Sequence, residues 1–466
     1  MSSLVIKGGR LVEPTGERFA DVVVEQGIVT SIGPSLDGDR TLDASGCVVG
    51  PGLVDLGCAI NEPGLEEIER LVETAEAAAL GGFTALLVAP EAFSVDSAAE
   101  VDALAELAHR TGPVEMLPLG SATHRREGAR LASMGELVDA GVRCIGDLPD
   151  PIGDDLLARR VFEYSRPFGL TVFDQPLNRS LAAGGHLHEG EWSSRLGIAG
   201  EPAEAEHLAV MRDISLVGLT GASVHLQLIS SASSVAMVEA ARSQGLAVTA
   251  SVSAAHLTLT DAACAGFDPS TKLAPPLRAE PDRQALVDGV TRGVISAVVS
   301  GHRPRSIDAK DDTFDQSPPG AHGLEVAMAL TLEALGGDVA AMHRSMSWNP
   351  SVIAGVEDRH GASIEVGRPA NICVIDPNEA WTVDARTFVG SGAVSPVHGR
   401  QLNGRVRHTL CSGVPVVVDG DHRSAPPSPI PRPHLVAIPP ADPASDSTSD
   451  LPDRPPSKSP QPNEEK

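Results

Sequence analysis

The sequence is short of aromatic residues, of positive charge and of paired cysteines. Aromatics make up 3% of its 466 residues, so a core must be packed mainly with Ala, Val, Leu and Ile. Lys and Arg number 36 against 62 Asp and Glu, for a formal net charge of −26. Such a surface repels phosphate backbones and anionic membranes, so neither nucleic acid nor a membrane is an expected partner. Cys47, Cys58, Cys144, Cys264, Cys373 and Cys411 are widely scattered, with no C-x-x-C pair. That argues against a zinc ribbon and against a disulfide framework. No apolar run is long enough to span a bilayer, and MSSLVIKGGRLVEP has no basic region followed by an apolar one. A cytoplasmic protein is expected. There is no G-x-S-x-G elbow, no P-loop spacing and no repeat of solenoid period.

Hydrophobic residues make up 42% and charged residues 21%, as in an ordinary globular protein large enough for one big domain and a smaller one. Residues 3–50 alternate like short strands separated by Gly and Asp-Gly turns. From residue 51 the pattern changes. Apolar runs such as PGLVDL, FTALLVAP (83–90), VEMLPLGS (114–121), VRCIGDL (142–148), LTVFDQ (170–175), SVHLQLIS (223–230), LAVTASVS (246–253) and ISAVVSG (295–301) read as buried strands. Helical segments lie between them, for example over 65–82 and 235–245. Strands alternating with helices imply parallel βαβ units, and this number of them fits an α/β fold of the (β/α)8 TIM-barrel type. After residue 360 the strand pattern returns. The expected domains are a composite small β domain from 1–50 and 360–423, a barrel over 51–359, and a disordered Pro/Ser/Asp-rich tail over 424–466.

Residues 51–64, PGLVDLGCAINEPG, look like a strand end that should carry chemistry. Asp55 is present, but the next alternating positions are Gly57 and Ala59, and neither side chain can donate an electron pair to a metal. With GGFTA (81–85), HEGEW (188–192), VTASVSAAHLTLT (248–260), KLAPPLR (272–278), GRPANICVID (367–376) and SPVHGRQLNGRV (395–406), this stretch resembles the dihydroorotase family of the amidohydrolase superfamily. The resemblance runs from about residue 3 to residue 420. It implies a barrel joined to a small composite β-sandwich. In active members zinc at the barrel mouth activates a water that opens or closes a cyclic amide.

The resemblance also implies where the zinc ligands and the base should lie. The first histidine pair falls on Gly57 and Ala59. The bridging carboxylate falls on Leu148, beside a retained Asp147. The two further histidines fall on Gln175 and Leu228. The final Asp, which also serves as base, falls on Gly301, beside His302. Zinc needs imidazole, thiolate or carboxylate donors at about 2.0–2.3 Å, and none of these positions supplies one. The substrate shell has changed as well. Its Arg falls on Asn61, its two Asn on Glu91 and Ala274, and a late His on Arg305. No catalytic residue, metal ligand or cofactor is therefore expected.

Other residues have both a functional and a plain reading. Asp55, Asp147, Asp174, His225, Gln227, His256 and His302 could together form a replacement metal site. The reading adopted is that His225 and His256 are hydrogen-bonded barrel residues and that Asp55 caps a turn or pairs with a nearby donor. Lys272 and Arg278 could be a leftover anion pocket, but are read as loop cations paired locally. His186 is read as exposed, and HRREGAR (124–130) as a solvated face. The leading expectation is a non-catalytic homologue that is a structural partner of aspartate carbamoyltransferase in pyrimidine biosynthesis, as the resemblance implies, and a homo-oligomer. The alternatives are an active dihydroorotase or cyclic amidohydrolase with an atypical metal site, and a small-molecule sensor using Glu91 and Arg305.

Overall fold

The structure, a computed structural model, describes residues 3–390 and 393–423. The tail expected over 424–466 lies outside the described residues. Eight parallel strands build a barrel: β1 (Leu53–Ile60), β2 (Phe83–Pro90), β3 (Glu115–Pro118), β4 (Cys144–Ile145), β5 (Thr171–Asp174), β6 (Ser223–Leu226), β7 (Val248–Ser253) and β8 (Ala297–Val299). They correspond to the eight apolar runs of the sequence. Ladders join β1 to β2 and β2 to β3, then β4 through to β8 in order. A bridge between Gly120 and Ile145 links β3 to β4. Ala59 N–H donates to the His302 carbonyl at 2.8 Å and closes the ring between its last and first strands.

Alternation sets the two faces of each strand. Val54, Leu56, Ala85, Leu87, Phe173, Ala297 and Val299 fill the barrel interior. Leu86, Val88, Val172, Val224, Val252 and Val298 belong to the outer core under the helices. Asp55 is fully buried and accepts from Ser300 N–H at 2.9 Å and from the Ser300 hydroxyl. It ties β1 to the end of β8, so of its two expected roles it takes that of pairing with a donor close in space.

The small domain is a sandwich of two sheets. One has seven strands and takes Arg10–Glu13, Gly16–Phe19 and Val48–Pro51 from the N-terminal part, with Ile372–Thr382, Gln401–Cys411, Val414–Val418 and Asp421–His422 from the C-terminal part. The other has four strands, all N-terminal. Leu4, Ile6, Val22 and Val24 of the smaller sheet meet Leu11, Val49, Val374 and Leu410 of the larger. The opposite face of the larger sheet, with Val48, Cys373 and Ile375, joins the barrel's outer core. This is the barrel-plus-sandwich architecture expected above.

One boundary differs from the sequence reading. The helix expected over 65–82 runs only over Leu71–Leu80. Acidic side chains stop it from starting earlier, because they take the amide hydrogens at its start. Glu62 accepts from Leu71 N–H at 2.6 Å, and Glu73 accepts from Arg70 N–H at 2.8 Å. Glu69 is thereby left in a loop and points inward to the barrel.

Candidate functional site

A cavity partly open to solvent lies at the C-terminal ends of the barrel strands. Gly57, Ala59, Leu148, Gln175, Leu228 and Gly301 all line it, together with Glu91 and Ala274. Six positions scattered over 245 residues of sequence thus converge on one cavity. Asn61 and Arg305 are not in that lining. Asn61 is buried, and its amide has no partner among the described residues.

Part of the lining is held by a chain of hydrogen bonds. Leu228 N–H donates to Ser251 Oγ at 3.2 Å, and that hydroxyl donates to Gln227 Oε1 at 3.0 Å. Gln227 Nε2 then donates to the Leu56 carbonyl at 3.1 Å. This chain spans the space beside Gly57. A Cβ placed on Gly57 would lie 2.8 Å from Gln227 Nε2 and 3.0–3.1 Å from the Val299 side chain. Gly301 has φ +64°, and a Cβ there would come within 2.9 Å of Ser253 Cβ. A zinc ion does not fit these residues. Their one donor is an amide, from Gln175, and neither Gly57 nor Gly301 has room for a ligand side chain.

Among the described residues no three His, Cys, Asp or Glu side chains are grouped to hold a metal. Asp147 accepts from Ala122 N–H and Thr123 N–H at 2.9 and 3.0 Å, and from the Thr123 hydroxyl at 2.5 Å. Asp174 is taken by Ile152 N–H at 3.0 Å and Arg212 at 2.6 Å. His225 sits within the barrel, 2.9 Å from Thr249 and against the Phe173 ring, and burial pushes its pKa down to about 3. His256 lies 2.7 Å from Ser253 Oγ and 3.0 Å from the Pro275 carbonyl, and burial pushes it down to about 4. Both stay neutral and hydrogen-bonded, as read from the sequence.

His302 accepts from Gly323 N–H at Nδ1, at 3.3 Å, so its Nε2–H donates to Glu69, 3.0 Å away. Burial opposes the charge on Glu69, but His302 and the Thr74 hydroxyl outweigh it and hold the carboxyl below its ordinary range. This buried pair fastens the loop before the first barrel helix to the end of β8. Its partners are 233 residues apart, which is why the sequence did not reveal it.

Glu91 is not a lone anion in the cavity. Arg303 donates to it at 2.8 and 3.2 Å, and Arg305 at 3.3 and 3.4 Å. Burial would raise its pKa, yet the two guanidiniums bring it below the ordinary value. Arg305 also donates to the Pro319 carbonyl at 2.9 Å. The signal for this cluster was the H-R-P-R run at 302–305, of which the sequence reading used His302 and Arg305 but not Arg303.

Two plain readings need correction. Arg126 of the HRREGAR run does not lie on a solvated face. It donates to the Pro90, Leu148 and Glu91 carbonyls at 2.7, 2.8 and 3.1 Å, clamping the ends of the strands around the cavity. His186 is half-buried, not exposed, and accepts from Lys272 Nζ at 3.2 Å. Lys272 also donates to the Asp315 carbonyl, and Arg278 donates to the Glu201 carboxylate and carbonyl and to Ser230 Oγ. These cations are engaged locally.

The pattern described as dihydro-orotase-like matches residues 46–234. A dihydroorotase of Pelotomaculum thermopropionicum is 35% identical over 424 residues, covering 89% of this chain and 99% of that protein. The chain belongs to the dihydroorotase family. A dihydroorotase of Caldanaerobacter subterraneus is 34% identical over 418 residues, covering 88% of this homologue and 96% of the relative. Among solved structures, L-hydantoinase from Arthrobacter aurescens superposes with a TM-score of 0.82 at 22% identity, covering 92% of this chain and 98% of that one. That likeness shows a shared fold. Among the described residues, no helix of this dihydroorotase homologue is long and apolar enough to cross a membrane.

Proposed function

We propose that this dihydroorotase homologue is non-catalytic and serves pyrimidine biosynthesis as a structural partner of aspartate carbamoyltransferase. One observation supports the reading: the six positions that the resemblance assigns to metal ligands and base line one cavity and present glycine, alanine, leucine and one glutamine. An emptied metal site that kept its acids and imidazoles would bury like charges and unpaired donors, at a cost of about 1–3 kcal/mol for each unsatisfied group. Apolar filling removes that cost and leaves the barrel stable. The apolar lining is therefore consistent with long-standing loss of hydrolysis and a retained structural role. The same reading has the protein work in the cytoplasm.

The partner is tested by mixing the full-length protein with aspartate carbamoyltransferase from the same organism at micromolar concentration. Sedimentation velocity is expected to show one faster boundary containing both chains. Two independent boundaries at all mixing ratios would overturn the partnership.

A further inference from the structure

Lysine is scarce in this chain. Five of the 36 basic residues are lysines: Lys7, Lys272, Lys310, Lys458 and Lys466. The last two lie outside the described residues, and Lys7 pairs with Asp37 at 2.6 Å. Lys272 and Lys310 are both buried, each 6% exposed, and they meet in one place. Lys310 Nζ donates to the Pro269 carbonyl at 2.9 Å and to the Lys272 carbonyl at 3.4 Å. Lys272 Nζ donates to the Asp315 carbonyl at 2.9 Å and to His186 at 3.2 Å. Burial and the charge of Lys272 push the His186 pKa down, so this ring is neutral. These bonds use hydrogens but leave the charge uncompensated, because every acceptor is uncharged. Asp268 and Asp315 act on the two lysines only from a distance, and both are exposed. Arg303 and Arg305 lie alongside and share one carboxylate, Glu91. Burial, and then the charges of Arg305 and Lys272, pull Lys310 down to about 7. Burying cations without a counter-charge is costly, and here four of them face one acid.

A second observation comes from the same loops. Ser317 is 1% exposed, and its hydroxyl has no partner among the described residues. It sits between Asp315, whose carbonyl holds Lys272 Nζ, and Gly320, whose N–H donates to the Lys272 carbonyl at 3.0 Å. A buried hydroxyl free to donate, beside ammoniums without a counter-charge, is the donor set that an anion requires. We infer that Lys272, Lys310 and Ser317 form a binding site for a phosphate-type dianion, beside the barrel cavity and separate from the positions that the resemblance assigns to the substrate. Charge sets the class. With both lysines protonated, four cations and one carboxylate leave more positive charge than a monoanion neutralises. Geometry agrees. Each ammonium has three hydrogens and two acceptors here, so each keeps one to donate, and Ser317 adds another donor. Ammoniums are point charges that suit a compact tetrahedral oxyanion, whereas a planar carboxylate matches the arginine fork. Access is through the cavity, which is partly open to solvent. Leu273, Ala274 and Gly320 line it, next in the chain to Lys272 and to the segment that carries Ser317. The same chemistry is offered by free phosphate and by the phosphoryl group of a small metabolite.

The test is isothermal titration calorimetry of the full-length protein at neutral pH and low ionic strength, with inorganic phosphate, glycerol phosphate and acetate as probes. One phosphate group is expected to bind per chain, and the tighter of the first two probes identifies the source that the site prefers. Acetate at matched ionic strength is expected to bind about 10-fold more weakly or worse. Lys272→Met and Lys310→Met are each expected to weaken phosphate binding by about 10-fold or more, and Ser317→Ala by about 3-fold. Ser317→Ala removes only an unbonded oxygen, so it keeps the fold and keeps the test decisive if a lysine variant does not fold. A control, Lys7→Met, alters a lysine paired elsewhere and is expected to bind phosphate like the wild type. No saturable binding of either phosphate up to about 10 mM would overturn the inference. So would acetate binding as tight as phosphate, or undiminished phosphate binding in Lys310→Met or Ser317→Ala. None of these outcomes depends on hydrolysis or on the transferase, so the inference and the functional proposal fail separately.

Discussion

Putting histidines back at Gly57 and Ala59 is expected to give a less stable protein that still binds no stoichiometric zinc. The position of Gly57 is occupied by its neighbours. A Cβ there would lie 2.8 Å from an amide held at both ends and 3.0–3.1 Å from Val299, itself packed in the barrel interior. An imidazole adds five further heavy atoms. Forcing extra atoms into a packed core costs about 1–3 kcal/mol, and this site falls at the upper end because both neighbours are constrained. Two imidazoles are also too few. Catalytic zinc sites use three protein ligands, and Leu148, Gln175, Leu228 and Gly301 add at most one weak amide oxygen. Urea titration should show a lower midpoint with an unchanged slope. Elemental analysis should find well under one zinc per chain. A variant of wild-type stability with tightly bound zinc would mean that the wall is not closed as described.

Arg212→Met is expected to be the most destabilising single substitution near the site, at about 3–5 kcal/mol. Arg212 donates to Asp213 at 2.8 Å, to Asp174 at 2.6 Å and to the Ile152 carbonyl. Both carboxyls are fully buried. Asp174 ends β5, next to Gln175, and its carbonyl accepts from Gln227 N–H at 2.8 Å. The arginine therefore supports two strand ends that form the cavity wall. The loss should depend on pH. Burial, and then the charge of Asp213, push the Asp174 carboxyl well above its ordinary range. Burial raises Asp213 also, against the pull of Arg212. A carboxyl whose folded pKa is raised takes up a proton on folding. Its contribution is fully present below the ordinary carboxylate pKa of about 4 and is lost as pH rises through the folded value. Without Arg212 both carboxyls move further up. The penalty measured by denaturation should therefore be larger at pH 8 than at pH 5. Asp174→Asn added to Arg212→Met should recover part of the loss at pH 8. An equal penalty at both pH values would contradict this account.

The barrel was legible because its strands are short apolar runs at regular intervals, and period and spacing are local properties. Which positions belong to the cavity was legible only through motif order, and Gly57, Ala59, Leu148, Gln175, Leu228 and Gly301 do share one cavity. What surrounds them was not legible. Gln227 reads in sequence as part of an H-x-Q that could bind metal, yet its bonds go to Leu56, 171 residues away, and to Ser251. Glu91 reads as a pocket group with Arg305, and Arg303, which reaches it across 212 residues, is no part of that reading. Arg126 reads as a solvated charge, because nothing local shows that it turns back onto three carbonyls. In each case the partner is brought by the assembly of the barrel, which no short window of sequence contains.

The most direct test of the central claim is dihydroorotase turnover by the purified protein, with and without added zinc, against a catalytically intact dihydroorotase as a positive control. The cavity wall described here predicts no hydrolysis or cyclisation above background in either condition, and no zinc retained after gel filtration. Turnover that rises with zinc, and that Gln175→Ala or His302→Ala abolishes, would contradict it and would show that the barrel mouth still assembles a metal site.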